Sequence, residues 1–159
     1  RVLGYDPYLR QHSPAVTEAS AILLELDDVL RNSDFISIHL PLTAETRGLI
    51  NRRRLRMLKP TALLINTARG AIVDEAALVA ALRDGRLAGA ALDVREQEPP
   101  PSSPLHEMAN VVLTPHIASW TREAQERVVR TVAEDVDRVL RGEAARCYYN
   151  FPRPRRPAA

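Results

Sequence analysis

The sequence predicts an α/β fold, a doubly wound parallel sheet with helices on its faces. Short apolar runs, about five to seven residues each, alternate with segments of helical periodicity along the chain. The runs are nearly continuous in apolar residues, as strands are when both faces are covered. Strands separated by helices must pair in parallel through right-handed crossovers.

Taken in order, RVLGY (1–5) reads as a strand that stops at Asp6-Pro7, and SAILLE (20–25) as a second. DDVLRNS (27–33) is a short helix. DFISIHL (34–40) is a third strand, closed by Pro41 because proline cannot donate to a ladder. NRRRLRMLK (51–59) is a helix with Asn51 as its N-cap, and TALLIN (61–66) a fourth strand. The helix at 74–85 has Asp74 as N-cap and Gly85 as stop signal. Its Ala77, Leu78, Ala81 and Leu82 share one face. LAGAALDV (87–94) is a fifth strand, EPPPSSP (98–104) a stiff loop, and NVVLT (110–114) a sixth strand. The longest helix, 121–142, carries an apolar stripe of Val128, Val132, Val136 and Val139. The end of the chain is rich in Pro and Arg and is expected to be extended or disordered.

Composition narrows the function classes. The 159 residues suit one domain, with 45% apolar and 26% charged residues. A net charge of +2 does not point to nucleic acid or a membrane surface, and neither is expected as a partner. Nearly all cations are Arg, with Lys59 the only Lys, which reads as a lineage bias. The one cysteine, Cys147, allows no internal disulfide and favours a cytoplasmic setting. No run approaches the roughly 20 apolar residues of a membrane helix. No leader pattern opens the chain, and its apolar start suggests a cut within a larger protein.

In doubly wound sheets ligands sit beyond the carboxyl ends of the strands, which directs attention to the residues there. Asp6 follows the first strand. It is either a turn acid before Pro7 or the acid that binds the adenine ribose hydroxyls and repels a 2′-phosphate. Leu40 and Pro41 end the third strand, as a simple stop or as a wall of a cofactor site. Arg69, in NTARG (66–70), is either a surface charge or a bidentate carboxylate binder, and Gly70 beside it permits unusual backbone. Asp93 ends the fifth strand, Glu98 follows in the loop, and His116 follows the sixth strand in TPHIAS. Singly, a loop Glu and a lone His are usually structural or solvent-facing. Arg69, Glu98 and His116 nonetheless converge on one edge of one sheet, which favours a shared site.

The segments GYDP, SDFISIHLPLTAETRGLI, LLINTARGAIVDEAALVAAL, AGAALDV, EP and TPHIA, in this order, resemble the D-isomer-specific 2-hydroxyacid dehydrogenases over about residues 1 to 145. The likeness is to the C-terminal part of the NAD-binding, Rossmann-like domain of phosphoglycerate dehydrogenase-like members. It implies that Arg69 holds the substrate carboxylate, His116 is the general acid/base and Glu98 pairs with that His. It implies Asp6 on the ribose, Thr67, Ala68 and Asp93 on the nicotinamide side, and Ala118 and Ser119 as further cofactor contacts. Leu40, Pro41, Arg69 and His116 complete the cofactor set, and no metal is expected. The implied activity is hydride transfer between NAD and a D-2-hydroxy acid/2-oxo acid pair, with a homodimer in the complete protein. The rival reading is a non-catalytic NAD-sensing interaction module of the corepressor type.

The resemblance divides the chain into 1–142, a partial NAD-binding domain without its first strand and Gly-rich turn, and a tail, 143–159, returning toward the substrate domain or disordered. Without that turn the pyrophosphate lacks a helix N-terminus, so the chain alone is expected to bind NAD poorly and to be inactive. Asp6 predicts NAD over NADP, against which Arg10 stands nearby. Arg95 occupies a place where the family more often has an aromatic, and Trp120 one where a small residue is common. Trp120 either shapes an entrance or packs.

Overall fold

The computed structural model describes residues 1–147. The chain divides into two units, Arg1–Ile117 and Ala118–Ala159. The first contains six strands: β1 (Val2–Gly4), β2 (Ala21–Leu23), β3 (Phe35–Ile38), β4 (Leu63–Asn66), β5 (Gly89–Leu92) and β6 (Val111–Leu113). All pairings are parallel, as the alternation of strands and helices requires. The strands form two ladders, β1-β2 and β3-β4-β5-β6. Between β1 and β3 lies a cleft of about 300 Å³, lined by Gly4 and Asp6 on one side and Ile36 to Leu40 on the other. β1 and β3 are not paired, so the two ladders remain separate on either side of this cleft.

Local chemistry explains the helices. In α3 (Arg52–Leu55) the Asn51 side chain accepts from the Arg54 N–H at 3.1 Å. The helix is one turn long rather than spanning 51–59: residues 56–58 continue as a turn and bend, and Pro60 disfavours helical backbone at Lys59. In α4 (Glu75–Arg83) Asp74 caps the Ala77 N–H at 2.9 Å. The far end closes with the Gly85 N–H on Leu82 and the Arg86 N–H on Ala81, a Schellman motif that needs the φ of +66° at Gly85. Residues 14–18 form a helix, α1 (Pro14–Glu18), that the periodicity does not announce; its signal is Ser13-Pro14, with proline at the first helical position. The helix α2 (Leu26–Asn32) precedes β3.

The core gathers Ile36, Ile38, Leu64 and Leu92 from the sheet with Leu30, Leu55, Leu78 and Leu82 from the helices. Burying each such side chain contributes about 1.5–3 kcal/mol. β5 is buried almost throughout, but β3 alternates, with Ile36 and Ile38 inside and Phe35 69% exposed. Leu63 and Val112 lie on the same exposed sheet face as Phe35, so within this unit only one face of the sheet is covered.

The second unit is built on α5 (Arg122–Leu140), capped by Thr121 accepting from the Ala124 N–H at 3.1 Å. Its stripe of Val128, Val132, Val136 and Val139 is more than half exposed within the unit. The chain then turns at Gly142, and the N–H groups of Arg146 and Cys147 each donate to Asp135 at 2.8 Å. The expectation for the Pro- and Arg-rich end falls mostly on 148–159, outside the described residues. Among the described residues, no helix is long and apolar enough to cross a membrane.

Candidate active site

The ends of β4, β5 and β6 are stitched together by main-chain hydrogen bonds. The Asp93 N–H donates to the Asn66 carbonyl at 3.0 Å, the Thr114 N–H to Leu92 at 3.1 Å, and the His116 N–H to Asp93 at 2.8 Å. The loops that carry Arg69, Glu98 and His116 therefore leave one continuous edge.

The loop after β4 is shaped by Asn66, which is 1% exposed. Its Oδ1 accepts from the Ala68 N–H and its Nδ2 donates to the Arg69 carbonyl, both at 3.0 Å. This bracket fixes Thr67, Ala68 and Arg69 as a unit. Thr67 is exposed, Ala68 is half-buried, and the Arg69 guanidinium is exposed, donating to the Ala68 carbonyl at 2.6 Å.

The turn after β6 is held by Asp93, which is buried. Its Oδ1 accepts from the Thr114 hydroxyl at 2.6 Å and from the Ile117 N–H at 2.8 Å. Between these anchors His116 adopts a φ of +56°, a left-handed conformation that costs a non-glycine residue about 1–3 kcal/mol. The Asp93 bonds on both sides offset that strain and aim the imidazole at the loop after β5.

There His116 Nδ1 meets Glu98 Oε2 at 2.7 Å. The other Glu98 oxygen accepts from the Arg95 N–H at 3.0 Å. The His116 hydrogen bond holds the Glu98 carboxyl below the usual carboxylate range, the Arg95 amide adds to that, and the Arg69 charge contributes a weaker pull. Glu98 is thus an ionised acceptor, which makes His116 Nδ1 the donor and leaves Nε2 as the other ring nitrogen. Among the described residues Nε2 has no hydrogen-bond partner. All three side chains are exposed, so the trio stands on an open edge.

The other expected cofactor residues fall in three places. Asp6 follows β1 beside the cleft, and its Oδ1 accepts from the Tyr8 N–H at 2.8 Å, so it does cap a turn. Leu40 lines the same cleft, and the Pro41 carbonyl accepts from the Thr46 hydroxyl at 2.7 Å. Ala118 and Ser119 belong to the second unit, where the Ser119 carbonyl accepts from the Gln125 amide at 3.4 Å. Trp120 there is 74% exposed.

Sequence reasoning missed the groups that position the site. Asn66 signals itself as the polar end of an apolar strand, and His39, bonded to the Ser37 hydroxyl at 2.8 Å, lines the cleft. Arg95 is the largest surprise. In place of an aromatic, a guanidinium is buried and forms a bidentate pair with Glu75 at 2.6 and 3.0 Å.

Compared with protein families, residues 1–118 match the NAD binding domain of the D-isomer specific 2-hydroxyacid dehydrogenases. The chain belongs to this family. It is 58% identical over 120 residues to a glyoxylate reductase of Thermofilum pendens, covering 75% of this chain and 35% of that protein. It is 41% identical over 153 residues to a D-3-phosphoglycerate dehydrogenase of Methanocaldococcus jannaschii, covering 95% and 29%. In structure it resembles a D-lactate dehydrogenase with NAD+ from Lactobacillus jensenii, with a TM-score of 0.84 and 31% identity, covering 95% of this chain and 48% of that one. The chain thus spans about a third of the length of these curated relatives and about half of the solved chain.

Family membership makes NAD the cofactor of this domain. The residues present suit it at two ends. The Asp6 carboxylate borders the cleft at β1, and the ordered 66–69 loop follows β4 at the carboxyl ends of the strands. Among the described residues no Gly-rich turn leads into a helix N-terminus at the cleft, so a pyrophosphate cradle is not part of what they build.

Proposed function

We propose that the protein is an NAD-dependent D-2-hydroxyacid dehydrogenase that interconverts a D-2-hydroxy acid and its 2-oxo acid. The observation that carries this reading is the Glu98–His116 bond of 2.7 Å on the edge where Arg69 also stands. The nicotinamide, when bound, supplies the hydride chemistry. Arg69 receives the substrate carboxylate through its planar fork and fixes the orientation of the carbonyl. His116 donates a proton from Nε2 to the carbonyl oxygen during reduction and takes it back in the reverse direction. Glu98, hydrogen-bonded to Nδ1, fixes the orientation of the ring through that cycle. Asp6, Leu40, Pro41, Thr67, Ala68, Asp93, Ala118 and Ser119 serve the cofactor, Asp93 by bracing the His116 turn.

The corepressor-type alternative is not favoured, since the relatives named above are a reductase and dehydrogenases. The open edge leaves the substrate to be enclosed from elsewhere, so the 159-residue chain alone is expected to bind NAD weakly and not to turn over. A cytoplasmic homodimer is the proposed state of the complete protein.

The test is NADH oxidation by the complete protein with glyoxylate, hydroxypyruvate, pyruvate and 3-phosphohydroxypyruvate. Turnover of at least one is expected. His116→Ala should lower kcat by about 100- to 10,000-fold while NADH affinity changes little. Bound NADH without turnover of any of these acids, or an unchanged kcat in the variant, would overturn the proposal.

A further inference from the structure

We infer that Arg95 and Glu75 form a clamp that positions the Glu98–His116 pair and locks its loop to the one carrying Arg69. The inference rests on the dehydrogenase reading above, but the geometry that supports it is independent of substrate.

Arg95 engages two carboxylates with different parts of itself. Its side chain, 6% exposed, grips both oxygens of Glu75 in the first turn of α4, Nη2 to Oε1 at 2.6 Å and Nε to Oε2 at 3.0 Å. Its main-chain N–H donates to Glu98 Oε1 at 3.0 Å, and Glu98 Oε2 in turn meets His116. A continuous path therefore runs from the first turn of α4 through Arg95 and Glu98 to the imidazole. The same Glu75 carboxylate also receives weaker bonds from the Glu96 N–H at 3.5 Å and the Ser103 hydroxyl at 3.4 Å. The loop is thus gathered around one anion from both sides of Glu98.

The other half of the clamp is steric. A Cβ at Gly70 would overlap the carbonyl of Arg95 and the amide nitrogen of Glu96. The backbone next to Arg69 therefore lies directly against the backbone that carries Glu98. A planar guanidinium can fix such a loop in a way an aromatic cannot, because a bidentate pair sets orientation as well as distance. Arg95 and Glu75 are positioning residues: neither belongs to the exposed trio that faces substrate.

The test is carried out on the full chain by NMR, with the Glu98 side-chain carboxyl titrated through its ¹³C shift and the hydrogen-bonded His116 Nδ1 proton observed directly. In Glu75→Gln and Arg95→Met the Glu98 midpoint should move up toward its ordinary value, and the Nδ1 proton should be lost to exchange. Arg95→Lys, which keeps the charge but not the fork, should fall between these and wild type. If a single variant does not fold because it strands a buried charge, Glu75→Leu with Arg95→Met removes both charges together, a replacement buried pairs often tolerate. In the complete enzyme the same variants should lower kcat by up to about 100-fold with little change in NADH affinity. Folded variants with an unmoved Glu98 midpoint and a retained Nδ1 proton would overturn the clamp, even if activity fell. Changed NMR signals in a protein that reduces no 2-oxo acid would uphold the clamp and reject the dehydrogenase reading instead.

Discussion

Gly70→Ala is the substitution whose sign discriminates most sharply. Gly70 is not among the glycines with positive φ, so its backbone suits an L-residue. With free space beside it, alanine would stabilise the fold by about 0.4–1 kcal/mol by restricting the unfolded chain. The added Cβ instead falls on the Arg95 carbonyl and the Glu96 amide, inside the 3.0 Å that real Cβ atoms do not breach. The obstacle is backbone, itself held by the Arg95–Glu75 pair, so it cannot swing aside like a flexible side-chain tip. Overpacking of this kind costs about 1–3 kcal/mol. For a chain of this size that corresponds to a fall in Tm of about 2–4 °C per kcal/mol. Moving the 95–98 loop on the order of 1 Å relative to Arg69 would cost about 100-fold in turnover in the complete enzyme. Thermal unfolding checks the first effect, turnover of the complete enzyme checks the second, and the His116 Nδ1 resonance reports on the loop itself. A Gly70→Ala variant with an equal or higher Tm and an intact resonance would show that the two loops are not in contact as described.

Three further outcomes follow from particular groups. Arg95 holds the Glu75 carboxyl below its ordinary value of 4.5, so the pair's stabilisation is complete above that value and disappears as pH falls through the lowered one. The stability difference between wild type and Glu75→Gln, measured by denaturant unfolding at stepped pH, should shrink toward zero on the acid side, and a constant difference would refute this. Asn66→Ala strands the Ala68 N–H and the Arg69 carbonyl and should cost about 1–3 kcal/mol in urea unfolding; a neutral result would mean the loop does not depend on Asn66. Asp6 should make the complete protein bind NADH more tightly than NADPH, with Asp6→Ser narrowing the gap; a preference for NADPH in titration would remove Asp6 from the ribose site.

The parallel α/β fold was legible because period and composition are local properties. Caps such as Asn51 and Asp74 depend on residues three positions apart and could be read directly. The short helix α1 was missed because a five-residue segment offers too little periodicity. Strand alternation in β3 was missed because whether a face is covered depends on what lies against it, not on the run itself. That the loops of Arg69, Glu98 and His116 share one edge was legible from their places after strands, since parallel topology gathers those ends together.

By itself, then, the order of residues determined which side chains reach that edge and which family the chain resembles. Only the folded chain decided how they are held. The Asp93 brace behind a left-handed His116 and the Arg95–Glu75 pair both join groups far apart along the chain, and the second also buries charge against charge. Such contacts arise when separate loops meet in space, and their energies depend on distance and desolvation that no linear pattern encodes.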